Sequence, residues 1–477
     1  MAGVAHQREE HGIPAERRAR AITRRALIGA STAAAALTVF GSGMARAATG
    51  PTPAAETGDA RMRGYAFLDA AMDGYPDHGS IRLAQSYTDQ AGLFSTAFTY
   101  DNALTILAYL ACPGAGARAR AVALGDALLY AQAHDPQYAD GRLRQAYNVG
   151  PYVFYDGSAQ PDGFVRTDGT VNVGTQFGFT GTAVGDMAWA GIALAALAGC
   201  TKAGRFLAGA VRIGEWVEAH TRTDEPLGGY KFGVDGADKK LPFTSTEHNI
   251  DLTCLFGRLA RLTGNGVWLE RRARAEAFLA KMWDASGGFF YTGTNDGVTI
   301  NTSPIPEDTQ TWSYLSLHDR RRARSVDWAA GNLAVLDTVD RPNSTVPARE
   351  SYEGVTFSSA SLVANEDAPI APFQPKPDRS GVWFEGTAHL ALALRERGAA
   401  GDERRAARLI ASIERAQDRL GAGQTVGSKA LPERSGVVSA SSPLDTGFGF
   451  GYYPYRHTGA TAWYLLAAVR ANPLRGH

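Results

Sequence analysis

Two kinds of apolar pattern alternate along the chain. In the first, an apolar stripe recurs every three or four residues and the rest of each turn is charged. Between Asp402 and Leu420, for example, Leu409, Ile413, Ala416 and Leu420 form the stripe, and Arg404, Arg405, Arg408, Glu414 and Arg415 a wet face. The same pattern predicts solvent-flanked helices over Asp59–Met72, Arg118–His134, Ala203–His220, Trp268–Trp283 and Arg320–Leu336. In the second kind, as in residues 190–198 and 388–394, the residues are apolar or tiny on every side. Such segments are buried all round, and their Ala and Gly let helix backbones approach closely.

Each segment of the second kind opens with a polar cluster. The six clusters are Tyr100-Asp101-Asn102, Gly185-Asp186-Met187, Glu247-His248-Asn249-Ile250-Asp251, Asp308-Thr309-Gln310-Thr311-Trp312, Trp383-Phe384-Glu385-Gly386-Thr387 and Arg456-His457-Thr458-Gly459. Twelve helices alternating between an inner and an outer ring follow from this recurrence. The expected fold is all-α, an (α/α)6 barrel, with long loops and room for short β-hairpins on one rim. Inner-to-outer turns are short, and several carry the Gly expected after a helix C-terminus. Outer-to-inner connections are long and rich in Gly, Pro, Tyr and Phe. All six precede inner helices, so they converge on the rim where the polar clusters sit, which predicts a binding groove at that mouth.

The N-terminal segment reads as an address. Thr23-Arg24-Arg25-Ala26-Leu27-Ile28 leads into an apolar stretch ending at Phe40, and Ala45-Arg46-Ala47 is a cleavage site of small residues. Residues 1–47 therefore resemble a twin-arginine signal, 48–57 a flexible linker, and 58–477 one catalytic domain. The stretch falls short of the roughly 20 residues a membrane span needs. The expectation is export through the twin-arginine machinery to an extracellular or periplasmic location, with no stable membrane anchor once the signal is removed. Lys plus Arg and Asp plus Glu each number 48. Without the seven Arg and three Glu of residues 1–47, 41 basic and 45 acidic residues remain. That mildly acidic balance argues against nucleic acid as a partner. The three cysteines, Cys112, Cys200 and Cys254, read as small buried hydrophobes, although Cys112 and Cys200 end neighbouring inner helices at one rim, which permits a disulfide.

With its alternating helices and polar clusters, the chain from Gly58 to Asn472 resembles the six-hairpin glycosidase superfamily. These (α/α)6 toroids include glycoside hydrolase families 8, 9 and 15, unsaturated glucuronyl hydrolases and several polysaccharide lyases. The resemblance implies a carbohydrate substrate. Cleaving an acetal takes a proton donor at the leaving oxygen and a second carboxylate across the sugar. Glu247 is the candidate general acid and Glu385 the candidate base, with Asp101 or Asp308 as alternatives for either role. Separation of the working pair by about 6.5–9.5 Å gives inversion. Asp186 reads as a helix cap.

Candidate substrate-binding residues are Tyr100, Trp312, Trp383 and Tyr453 for stacking, and His248, Asn249, Asp251, Gln310, Arg456 and His457 for hydrogen bonding. The alternation Gly447-Phe448-Gly449-Phe450-Gly451-Tyr452-Tyr453-Pro454-Tyr455 reads as a wall of the groove. No cofactor and no metal are expected, because Glu247, His248 and Asp251 lack a second ligand cluster. Two alternatives stay open, a lyase acting on uronate polymers and a noncatalytic glycan-binding toroid.

Overall fold

The computed structural model describes residues 60–75, 79–91, 93, 95–151, 162–173, 179–372 and 374–475. The expected signal segment and linker lie outside them. The described residues form twelve α-helices in chain order: α1 (Ala60–Met72), α2 (Thr99–Ala111), α3 (Ala115–Ala133), α4 (Val184–Thr201), α5 (Gly204–Thr221), α6 (Thr246–Thr263), α7 (Val267–Met282), α8 (Asp308–Leu317), α9 (Arg324–Asn332), α10 (Phe384–Arg397), α11 (Asp402–Arg419) and α12 (Thr458–Ala468).

The even-numbered helices are the inner ring. Each packs on the next, and α12 closes back onto α2. Each is then followed by the outer helix that covers it, except that α12 is covered by α1, so the two ends of the domain complete the sixth hairpin. Inner helices are buried nearly throughout, as in α4, where Val184 to Ala195 are all inside. The outer helices bury one stripe, such as Ala406, Leu409, Ile413 and Ala416 of α11. This is the expected toroid.

One outer helix is shorter than its pattern predicts. The segment Arg320–Leu336 divides into a 3₁₀ turn (Arg320–Arg322), α9 and a strand, Ala334–Thr338, paired with Ser351–Val355. Gly331 and Asn332 end the helix, and the β-branched run beyond them finds a strand partner whose Tyr352 is fully buried. The cysteines are free thiols, with no bond between Cys112 and Cys200.

A six-fold device on one rim holds the inner ring in register. The residue at the N-terminal edge of every inner helix makes an antiparallel bridge to the next long connection: Phe98 to Ala146, Ala183 to Gly233, Ser245 to Gly293, Pro306 to Ser358, Trp383 to Ala440, and His457 to Tyr87, which closes the circle. Four residues after each bridge, a side chain accepts a backbone N–H from the connection leading into its own helix. Asn102 takes Ala84 (2.8 Å), Met187 takes Leu143 through sulfur (3.1 Å), Asn249 takes Tyr230 (3.1 Å), Gln310 takes Phe290 (2.8 Å), Thr387 takes Val355 (3.1 Å) and Thr461 takes Val437 (2.9 Å). The three amides also donate to the carbonyl of that same residue and to the bridge residue's carbonyl. They complete the hydrogen bonding of buried loop backbone.

Asn249 and Gln310 are therefore not free to bind substrate, which corrects the sequence-based expectation. Removing either anchor leaves several buried backbone groups without a partner. Asn102→Ala and Asn249→Ala are each expected to destabilise the fold by about 2–4 kcal/mol, read as a lower midpoint in denaturant at unchanged m-value. Changes below 0.5 kcal/mol in both would show that water replaces the anchors at no cost.

Candidate active site

Counting from each bridge residue places the site. The second residue after the bridge lies at the mouth of the ring on every inner helix: Tyr100, Gly185, Glu247, Asp308, Glu385 and Gly459. One turn deeper, on the same helix faces, come Leu104, Trp189, Asp251, Trp312, His389 and Trp463. The upper layer brings three carboxyl groups to one mouth from the consecutive inner helices α6, α8 and α10. The lower layer is an aromatic floor: the Trp189 ring centroid lies 5.1 Å from Trp312 and 5.6 Å from Trp463, and His389 lies 4.3 Å from Trp463. The two glycines leave room for neighbours. A β-carbon at Gly185 would stand 2.6 Å from His248, and one at Gly459 would stand 2.5 Å from an Asp101 oxygen.

The mouth opens as two connected compartments. The inner one, about 440 Å³, is lined by Glu247, Asp308 and Glu385, with Trp189, Trp312 and Trp383 among its aromatic walls and Tyr100, Asp186, His248 and Tyr452 completing its polar surface. The outer one, about 550 Å³, is walled by Phe232, Phe243, Phe448 and Phe450 and edged by Asn295 and Asn301. Glu247, Asp308 and Phe357 belong to both.

Behind the mouth, a chain of polar contacts holds Glu385. Its Oε1 accepts from the Tyr100 hydroxyl at 2.6 Å, and that hydroxyl accepts from the Trp463 indole at 2.8 Å. Its Oε2 lies 3.5 Å from Nδ1 of His457, whose Nε2 is 3.1 Å from both oxygens of Asp101. Tyr87 stacks on the His457 ring at 4.1 Å and fixes its plane. Deeper still, His389 Nδ1 is 3.1 Å from Glu307 Oε2.

Burial sets the protonation of these acids. It pushes Glu385 up to about 7, with the nearby His457 opposing the rise and Asp101 adding to it. Burial also raises Asp308 to about 7, against the Thr309 backbone N–H, and Asp186 to about 8. Glu247 and Asp251 are held well above the usual carboxylate range, first by burial and then by the charge of Asp308. Burial depresses His248 to about 3, so its ring is neutral. Burial also disfavours the His457 cation, but Asp101 and Glu385 outweigh it and the net shift is upward.

Of the residues predicted for the site, Glu247, Asp308, Glu385, Tyr100, His248, Trp312 and Trp383 line the inner compartment. Asp251 lies one turn below Glu247, fully buried beside Trp189. Asp101 and His457 are fully buried behind the wall as a pair. Besides Asn249 and Gln310, two further predictions miss. Tyr453 lines neither compartment, and its hydroxyl donates to Gln374. The Arg456 guanidinium donates to Pro432 and Ser435.

Asp186 also differs from its reading as a cap of its own helix. Its carboxylate accepts the Tyr100 backbone N–H of the neighbouring helix and lines the pocket. Trp189, Phe357, Phe448, Phe450 and Tyr452 complete the walls, and the spacing of Trp189 from Gly185 by one turn is the signal that marks it. Among the described residues, no group of three or more His, Cys, Asp or Glu side chains is arranged to hold a metal ion.

No known family's sequence profile matches the chain, and no curated protein matches it by sequence. Solved structures do match by fold. A D-mannose isomerase aligns with a TM-score of 0.56 at 14% identity over 87% of this chain and 96% of its own. The corresponding values for a sugar epimerase from a ruminal bacterium are 0.55 at 9%, covering 85% and 95%. For a glycosidase in complex with glucose they are 0.51 at 13%, covering 87% and 96%. At these identities the likeness is one of architecture: the chain shares the (α/α)6 toroid of these structures.

Proposed function

We propose that this protein is a glycoside hydrolase that cleaves with a pair of carboxyl groups. The observation that carries the reading is the set Glu247, Asp308 and Glu385, presented by three successive inner helices to one aromatic pocket, each with its pKa raised by burial. Glu247 stands at the junction of the two compartments, where a leaving-group oxygen would lie. Burial and the Asp308 charge keep its proton on, which suits a general acid. Glu385 belongs to the inner compartment alone, and the Tyr100 hydroxyl and His457 favour its ionised form, which suits a base that activates water. The helix α8 between their two helices supports a wide separation and hence inversion. As it ionises near pH 7, Asp308 strengthens the acid's hold on its proton by its charge.

The fold neighbours make sugar isomerisation or epimerisation the second reading, and His248 in the pocket is the residue that favours it. A ring whose pKa burial lowers to about 3 is a weak base for drawing a proton from carbon. A lyase acting on uronates fits less well. No Arg or Lys lines either compartment among the described residues, and a uronate carboxylate would meet acids. A purely binding role leaves unexplained why so many buried carboxyls are kept without cations.

A glycan screen read for new reducing ends, for near-ultraviolet absorbance and, with free aldoses and cellobiose, for isomer exchange separates these readings. Reducing ends alone are expected. Glu247→Gln and Glu385→Gln are each expected to lower kcat by about 10²–10⁴ with the fold intact. Full activity in both would remove them from the mechanism, and isomer exchange without hydrolysis would replace the reading.

In wild type, kcat/KM should rise as Glu385 ionises near pH 7 and fall at higher pH as Glu247 loses its proton. His457→Asn removes the neighbour that favours the Glu385 anion, so the rising limb should move up by about one pH unit. An unmoved limb would uncouple His457 from the reaction.

The raised acids also predict a stability effect. Asp308 binds its proton more tightly in the native state than in the unfolded chain, so its contribution is complete below about pH 4 and is lost as pH rises toward about 7. Asp308→Asn should therefore raise Tm by about 2–4 °C at pH 8 and leave it nearly unchanged at pH 4. A loss of stability at pH 8 would contradict the burial of an unpaired acid.

A further inference from the structure

We infer that the inner compartment is a dead end for a single terminal sugar and the outer one the site for an uncharged leaving group, so that the enzyme acts on chain ends. The inference rests on the hydrolase reading and extends it to mode of attack. Three features carry it. First, the inner compartment has a closed floor: Trp189, Trp312 and Trp463 are each no more than 2% exposed and pack on one another, so a chain cannot continue through the ring. Second, among the described residues the two compartments share only Glu247, Asp308 and Phe357. The scissile bond must lie at that junction, with one unit inside and the remainder outside.

Third, the two compartments differ in chemistry. The inner one surrounds its ligand with acids and indoles, groups that bond hydroxyls and stack on a sugar face. The outer one sets five phenyl rings among Thr, Ser and Asn side chains, with the acids Glu247 and Asp308 only at the junction. Its rings come from the glycine alternation: Phe448 and Phe450 of the outer compartment, and Tyr452 of the inner one beside them, gather around Phe357 at 5.8, 6.0 and 5.9 Å between centroids. Its polar edge is neutral, with Asn301 donating to Asn295 at 2.9 Å. Such a surface takes the apolar face of a neutral sugar or an apolar aglycone, and it offers no cation to an acidic one.

The test uses the full-length mature enzyme with the polymer or oligosaccharide that scores in the screen. Monosaccharide should be the first product, and viscosity should fall only in proportion to sugar released. Phe448→Ala, which alters a half-buried ring at a loop tip, should raise KM for the chain about threefold to tenfold. It should leave the quenching of tryptophan fluorescence by glucose, mannose, galactose or xylose unchanged. Asn301→Ala serves as a second variant of the same compartment.

Early oligosaccharides with an abrupt loss of viscosity would overturn the dead end and leave hydrolysis standing. No hydrolysis of any glycan would sink the hydrolase reading, and monosaccharide binding then decides the compartments by itself. Quenching equal in wild type and Phe448→Ala supports the division, and quenching absent from wild type or lost in the variant overturns it.

Discussion

The closed circle of six backbone bridges is the constraint on which the site depends. Each bridge ties the start of one inner helix to the connection that feeds the next, and the last, His457 to Tyr87, returns to the beginning. A helix in this ring cannot rotate without breaking its own bridge and the side-chain anchor four residues later. Both anchor and bridge are buried, where an unmade hydrogen bond costs its full desolvation. With rotation fixed, the residue two positions after each bridge faces the common mouth whatever its identity. The scaffold thus supplies six equivalent positions, and chemistry is a matter of what occupies them.

What occupies them is electrostatically expensive. Asp186, Glu247, Asp308 and Glu385 share one compartment above a floor of indole rings, and no lysine or arginine lines it among the described residues. A dry, aromatic surrounding penalises each added charge, so all four acids hold their protons above the usual carboxylate range. His457 stands behind the wall, its Nδ1 3.5 Å from Glu385 and its Nε2 held by Asp101. Its influence falls on Glu385 and not on Glu247, because Glu385 alone contacts it. That asymmetry divides like residues into unlike roles, and it comes from which helix each acid is on.

The helices and the toroid were legible because burial pattern and turn spacing are local. The polar openings were legible as well, yet their residues divide between architecture and chemistry in a way that spacing alone leaves open. Asn249 stands two residues from Glu247, and Gln310 two from Asp308, and an amide beside an acid at a helix start suits a sugar hydroxyl as well as a loop backbone. The distinction needs Tyr230 and Phe290, the partners brought in by folding. Tyr453 was misplaced by one residue, since Tyr452 lines the groove and the Tyr453 hydroxyl turns away to Gln374. The pairs His457 with Asp101 and His389 with Glu307 join residues far apart in sequence, and nothing local announces them.

A toroid shared at 9–14% identity with an isomerase, an epimerase and a glycosidase says little by itself about the reaction. The difference has to lie in groups that can change while the rim stays closed. Here the mouth positions carry acids on α6, α8 and α10, a tyrosine on α2, and glycines on α4 and α12. The glycines are not empty places: Gly185 admits His248, and Gly459 admits the Asp101–His457 pair. A side chain at either would press on the groups that set the charge of the pocket before it touched a ligand. The small residues of the mouth are therefore as much a part of its electrostatics as the acids, because they decide how closely the second row of ionisable groups can stand behind the first.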